Sequence, residues 1–155
     1  LKRVYVNEEV CMGCGLCGVY CQAEHSGSKD MIKAFKKESP GPLPRLRVER
    51  KGEISFSLQC RHCEEPWCVY YCLTGAMSRD AATGMVAVDS QKCMGCWTCI
   101  IACPSGALTR DAASKVVVKC DLCPGRDMPV CVANCPNQAL SLVEEANVGP
   151  LGVAS

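Results

Sequence analysis

Apolar residues along this chain come in short bursts separated by polar and glycine-bearing stretches, and no burst approaches the length needed to cross a bilayer. Ile54-Ser55-Phe56-Ser57-Leu58 alternates with a period of two, as a half-buried strand does. Val4-Tyr5-Val6, Met85-Val86-Ala87-Val88 and Val116-Val117-Val118 are equally short and rich in β-branched residues. Each of the four runs leads into a group of cysteines. Three of the groups are left through a second short segment, read as a return strand: Thr74-Gly75-Ala76-Met77, Ser105-Gly106-Ala107-Leu108 and Asn137-Gln138-Ala139-Leu140. The pattern predicts a repeated strand, loop, helix and strand. The first copy breaks it, because Gln22-Ala23-Glu24-His25 prolongs a helix after Cys21 instead of turning back. Asp80 to Gly84 reads as a hairpin turn, and Pro40-Gly41-Pro42-Leu43-Pro44 as an extended loop.

Sixteen of the 155 residues are cysteine, and they fall into four groups of four with none left over. The groups are Cys11, Cys14, Cys17, Cys21; Cys60, Cys63, Cys68, Cys72; Cys93, Cys96, Cys99, Cys103; and Cys120, Cys123, Cys131, Cys135. Each closes with a C-x-x-x-C step. A tight C-x-x-C-x-x-C loop wraps three irons of a 4Fe-4S cube, and a fourth cysteine on the following helical turn typically reaches the neighbouring cube. Sixteen thiolates therefore predict four 4Fe-4S clusters. A disulfide scaffold is the first competing reading, since cysteine content near a tenth ordinarily suggests one. The start of the chain argues against it: residues 1–11 carry no apolar signal core and no twin arginine, so the expectation is a cytoplasmic chain. Structural zinc is the second, and it has no use for a third cysteine three residues later. Cys103-Pro104 and Cys135-Pro136 match the ferredoxin C-P ending.

Composition changes the picture in two ways. Only 5% of residues are aromatic, which is poor material for an apolar core, so clusters are expected to fill the interior. The formal charge of +1 assumes protonated thiols; sixteen thiolates and four oxidised cubes of about +2 each take the holo chain to about −7. Positive charge concentrates in residues 29–51, where Lys29, Lys33, Lys36, Lys37, Arg45, Arg47, Arg50 and Lys51 stand against Asp30, Glu38 and Glu49. That stretch is either a solvated insertion or a docking patch for a partner protein. Nucleic acid is not favoured, because Phe35 alone interleaves an aromatic ring with these charges.

The order of the four cysteine groups, with Cys60-Arg61-His62-Cys63-Glu64-Glu65-Pro66-Trp67-Cys68 and Cys93-Met94-Gly95-Cys96-Trp97-Thr98-Cys99-Ile100-Ile101-Ala102-Cys103-Pro104, resembles the four-cluster electron-transfer subunits of the dimethyl sulfoxide reductase, formate dehydrogenase and hydrogenase family. The resemblance covers residues 4–142. It implies an α+β fold of two nested bacterial-ferredoxin-like modules, an outer one from residues 1–25 and 111–145 and an inner one from 54–110. A basic insertion at 26–53 and a tail at 146–155 complete the chain. It also implies crossed ligand sets: Cys60, Cys63, Cys68 with Cys103; Cys93, Cys96, Cys99 with Cys72; Cys11, Cys14, Cys17 with Cys135; and Cys120, Cys123, Cys131 with Cys21. The sequence departs from the family at Gln22 and Leu73, where a proline often follows the last cysteine.

The compact length and the Arg61 to Cys68 stretch look most like the small ferredoxin subunits of tungsten aldehyde oxidoreductase and carbon monoxide dehydrogenase systems. The resemblance implies as partners a tungsten or molybdenum aldehyde oxidoreductase and an FAD-dependent NAD(P)H oxidoreductase. The chain itself is expected to be non-catalytic. Alternatives are a subunit of a carbon monoxide dehydrogenase, formate dehydrogenase or hydrogenase system, a freely diffusing polyferredoxin, and self-association into a longer wire. Gly13, Gly15 and Gly95 are candidate amide donors to sulfur, or simply positive-φ turns. His62 is either a donor to a cluster or a packed imidazole, and His25 a surface or capping residue. Trp67 and Trp97 are read as shields that keep water from the cubes. Glu64 and Glu65 are not a catalytic pair, since adjacent side chains diverge. The tail from Ala146 to Ser155 reads as a segment that drapes over a partner.

Because ligation is expected to supply much of the folding free energy, stripping iron with an anaerobic chelator should collapse the far-ultraviolet circular dichroism. A chelated chain that kept its signal would show that the polypeptide folds without metal.

Overall fold

The computed structural model describes residues 1–144; the expected tail at 146–155 lies outside the described residues. Four antiparallel strand pairs and five short helices surround the cysteines, an α+β arrangement as expected. Strand β1 (Lys2–Val6) pairs with β8 (Leu140–Glu144), Val4 opposite Leu142, so the earliest and latest described strands form one ladder. The other ladders are local hairpins: β2 (Leu46–Lys51) with β3 (Ile54–Gln59), β4 (Met77–Arg79) with β5 (Val86–Val88), and β6 (Thr109–Asp111) with β7 (Val116–Val118). Helix α1 (Leu16–Glu24) packs on α5 (Val130–Ala133), and α3 (Trp67–Tyr70) on α4 (Thr98–Ala102). Helix α2 (Met31–Lys36) is capped by Asp30, whose carboxylate accepts the Lys33 N–H at 2.9 Å.

The return strands begin where the expected segments end. Gly75, Gly106 and Gln138, each three residues after the last cysteine of its group, adopt positive φ, and their amides bond back to the carbonyls of Cys72, Cys103 and Cys135. That left-handed turn reverses the chain, and only then do β4, β6 and β8 start. Between β4 and β5 the expected turn is present, with Asp80 accepting the amides of Ala82 and Thr83. Asp111 repeats the device for Ala113 and Ser114 between β6 and β7.

Residues 26–53, read as an inserted loop, are more ordered than that. They hold α2 and β2, and β2 gives β3 its partner strand. The charges of β2 mask an alternation: Leu46 is buried and Val48 half-buried, and both pack beside Cys17 and Cys21, while Arg47 faces water.

A second regularity sits inside the cysteine loops. The residue just before the second cysteine of each group is left-handed: Gly13, His62, Gly95 and Leu122. This bend folds both cysteines of a C-x-x-C pair toward one point. Glycine takes it freely, whereas His62 and Leu122 each accept a cost of about 1–2 kcal/mol.

The surroundings of these loops differ. A Cβ at Gly95 would lie 2.5 Å from the Lys115 carbonyl oxygen, while one at Gly15, also at positive φ, meets nothing within 4 Å. Gly15→Ala is therefore expected to cost about 1 kcal/mol and to keep full iron content. Gly95→Ala should displace the third-group loop and lower the iron-to-protein ratio by about a quarter or more. Equal behaviour of the two variants would show that φ alone, and not the close approach, governs these positions.

Candidate metal centre

The structure draws the sixteen cysteines into four gatherings, each taking three from one group and the last member of another. Cys11, Cys14 and Cys17 line a cavity with Cys135. Cys93, Cys96 and Cys99 line another with Cys72. Burial, and after it the neighbouring Cys60, Cys103 and Cys63, push the Cys68 thiol up to about 12, so these four share one neighbourhood. Burial likewise raises Cys21 to about 12 and Cys131 higher still, with Cys120 and Cys123 beside both. All sixteen stand as free thiols, and only Cys14 and Cys96 are exposed.

This crowding sets the chemistry of the site. The buried thiols Cys21, Cys68, Cys99, Cys120 and Cys131 are raised by burial first and then by their cysteine neighbours, so a cation is needed to hold them as thiolates, and soft sulfur donors select iron-sulfur clusters, zinc or cuprous copper. Four thiols lining one cavity, as in the Cys11 and Cys93 sets, fit a cube, and the donors around the sulfurs fit it too. The Arg45 amide donates to Cys21 Sγ at 3.2 Å and the Met77 amide to Cys72 Sγ at 3.3 Å. The Thr98 hydroxyl donates to Cys96 at 3.5 Å, and the Thr98 backbone amide first and this hydroxyl second hold the thiol below the ordinary range. Ser105 lies 3.4 Å from Cys103 Sγ. None of these donors is Gly13, Gly15 or Gly95, the amides singled out from sequence; those glycines serve the bends. The hydroxyls could have been read from sequence, since Thr74, Thr98 and Ser105 each follow a cysteine by two residues.

The histidines divide. His62 is wholly buried, and its Nδ1 accepts the Val86 N–H at 3.0 Å, so Nε2 carries the proton. Burial, and after it the charges of Lys119 and Arg3, lower its pKa to about 4 and keep the ring neutral. Its Nε2 has no hydrogen-bond partner among the described residues. His25 ends α1, with Nδ1 2.8 Å from the Cys21 carbonyl, and its Nε2 reaches Asp121 at 3.1 Å. Burial alone would raise the Asp121 carboxyl, but the His25 hydrogen bond and the Arg45 charge outweigh it and hold it at about 2. This node of His25, Asp121 and Arg45 is absent from the sequence reading because it joins residues nearly a hundred positions apart.

Trp97 lines the Cys93 cavity beneath the Arg110 guanidinium, which sits 4.8 Å from the ring, so it shields as expected. Trp67 does not fit that description. It is half-exposed, stacking on Tyr71 and edge-on to Tyr70. Of the basic stretch, Lys29 pairs with Glu24, Arg45 with Asp121 and Arg47 with Glu49, while Arg50 donates to the Met12 and Gly13 carbonyls. Lys33, Lys36, Lys37 and Lys51 remain exposed. Among the described residues no helix is long and apolar enough to cross a membrane.

An interior that gathers sixteen free thiols, two of the gatherings lining cavities, is that of an iron-sulfur carrier. The chain belongs to the 4Fe-4S dicluster domain family, which matches residues 53–145. It is 37% identical to the electron transport protein HydN of Escherichia coli K12, over 92% of this chain and 88% of that one. An iron-sulfur protein of Rhodospirillum rubrum is 35% identical over 91% and 81% of the two chains. The NADH-dependent phenylglyoxylate dehydrogenase subunit beta of Aromatoleum evansii is 32% identical over 89% of this chain, which spans 29% of that longer protein. Among solved structures, the active site complex BamBC of benzoyl coenzyme A reductase superposes with a TM-score of 0.50 at 27% identity, over 94% of this chain and 80% of that one. The protein is an iron-sulfur electron-transfer subunit of the oxidoreductase kind, and its sixteen cysteines fit four 4Fe-4S clusters.

Asp121→Asn removes the charge that His25 and Arg45 share beside Cys21, Cys120 and Cys123. The loss expected is about 1–3 kcal/mol. It should be read as faster chelator-driven bleaching of about a quarter of the visible absorbance, the other three quarters bleaching at the parent rate. Uniform bleaching would assign Asp121 to general stability instead.

Proposed function

We propose that this chain is a non-catalytic wire that relays single electrons between a catalytic oxidoreductase subunit and a second redox partner. Each cube, when bound, supplies one reversible one-electron couple. The protein's own work is to hold the ligands, exclude water and tune potential through hydrogen bonds to sulfur and burial.

The ligand sets are the crossed ones: Cys11, Cys14, Cys17 and Cys135; Cys120, Cys123, Cys131 and Cys21; Cys60, Cys63, Cys68 and Cys103; Cys93, Cys96, Cys99 and Cys72. The observation that carries the reading is that every gathering of thiols includes one cysteine from a distant group. Two nested modules account for this: an outer one closed by the β1–β8 ladder and the α1–α5 contact, and an inner one built on α3 and α4. The cubes then run in line. Cys131 neighbours Cys17, Cys120 packs with Cys60, and Cys68 shares a core with Cys99. Cys14 and Cys96, the two exposed thiols, mark the ends where electrons enter and leave.

The partner we favour is a tungsten or molybdenum aldehyde oxidoreductase, with an FAD-dependent NAD(P)H oxidoreductase at the other end, in a cytoplasmic complex. That choice rests on the likeness of residues 61–68 and of the compact chain to such subunits. The name of the Aromatoleum relative, an NADH-dependent dehydrogenase subunit, supports a pyridine-nucleotide partner. Stacked copies would extend the same wire.

Anaerobic analysis is expected to find about sixteen irons and sixteen sulfides per chain, with the broadened EPR signal of interacting reduced cubes. Two irons or fewer with stoichiometric zinc would sink the reading. Cys103→Ser should then perturb the cube held by the second group and Cys99→Ser the one held by the third. Loss of one and the same cube in both variants would overturn the crossed pairing.

A further inference from the structure

Lys119 is 2% exposed, and it is the one lysine among the described residues that is buried. Its ammonium donates to the Val86 carbonyl and, at 2.7 Å, to the Cys120 carbonyl. Among the described residues it forms no ion pair with a carboxylate. A buried ammonium with carbonyl partners alone is unfavourable unless negative charge lies near. The location supplies that charge. Cys60 and Cys120 pack together with Ala107, and Cys103 lies against them, so this contact is the seam between two neighbouring ligand sets. Burial raises the thiols of Cys60, Cys68 and Cys120, and in each of the three, drawn from both sets, the positive charge of Lys119 works against that rise. His62, in the Cys60–Cys63 loop, accepts the Val86 N–H while Lys119 donates to the Val86 carbonyl, so one residue of β5 fixes the ammonium against the inner set.

We propose that Lys119 is a positioning charge at the midpoint of the wire, shared by the cubes on either side of the seam and favouring the electron on both. Four thiolates around an oxidised cube leave a net charge of about −2, and one added electron makes it about −3. An ammonium buried between two such centres lowers the energy of the more negative state of each, because low dielectric leaves its field unscreened. The two seam cubes therefore hold an electron more readily than the same ligands would alone, while the end cubes, near Cys14 and Cys96, lie outside its reach. Lys119 thus shapes the profile along the wire and touches no substrate.

This rests on the four-cluster reading, so the first control is the parent protein with about sixteen irons; failure there sinks that reading and leaves Lys119 aside. The test is an EPR-monitored redox titration of Lys119→Met, Lys119→Gln and Lys119→Arg. Both neutral variants are expected to lose about tenfold or more of the preference for the electron on two cubes, 59 mV per tenfold for a one-electron couple, and to leave the other two unmoved. The arginine variant should keep the parent potentials. Should the neutral variants fail to retain sixteen irons while the arginine variant retains them, the charge is required at the seam, since glutamine still offers a donor to Val86. Unchanged potentials, or an equal shift of all four cubes, would overturn the proposal. Loss of iron in all three variants would overturn it too, assigning Lys119 to packing.

Discussion

Thiolate burial is the constraint on which the rest of the structure depends. Of the twenty buried apolar residues among those described, eight are cysteines, and each of the three buried cores there contains at least one. The remaining members are small or aliphatic, and no aromatic ring is among them. A core of this kind does not close by hydrophobic contact alone, because its most numerous occupants are cysteines whose sulfurs burial pushes toward protonation. Iron reverses that preference, turning a repulsive set of anions into coordinate bonds. The short elements follow. Helices of four to nine residues and hairpins of three-residue strands have little stability alone, and they need only deliver sulfurs to four points.

Backbone strain is spent in the same places. The repeated left-handed residue before each second cysteine, and the left-handed turn after three of the four groups, bend the chain where ligands must converge. Where glycine occupies these sites the bend is free. His62, Leu122 and Gln138 adopt it at a cost that coordination over-determines. The same logic accounts for Asp121, a carboxylate held ionised by His25 and Arg45 so that α1, β2 and the fourth cysteine loop stay in register around Cys21.

Much of this was legible in the cysteine spacing, because ligation geometry is written in short-range intervals. The four groups, the helix after each, the strands at Val86 and Val116 and the Asp80 turn all depend on neighbours within a few residues. The β2 strand was hidden by its charges: Arg47, Glu49, Arg50 and Lys51 outnumber Leu46 and Val48, and the alternation is visible only once a ladder with Ile54–Gln59 is supplied. Trp67 was assigned a shield's place from proximity to Cys68, yet its ring turns outward onto Tyr71. Lys119 was equally opaque, since a lysine beside a cysteine looks like any surface charge until the seam it fills is assembled from Cys60, Ala107 and Cys120.

The ladder between β1 and β8 has a bearing on how the molecule comes into being on the ribosome. Val4 and Val6 meet Leu142 and Leu140, so the earliest described strand waits for one made more than a hundred residues later. The segment from Trp67 to Val118, by contrast, finds all its strand partners and the α3–α4 contact within itself. The interior can thus mature while the polypeptide is still growing, leaving the early thiols Cys11, Cys14 and Cys17 unfinished. Those three are the cysteines that stay longest open to oxygen and to stray metal, and the interval is set by translation rate rather than by any property of the finished fold.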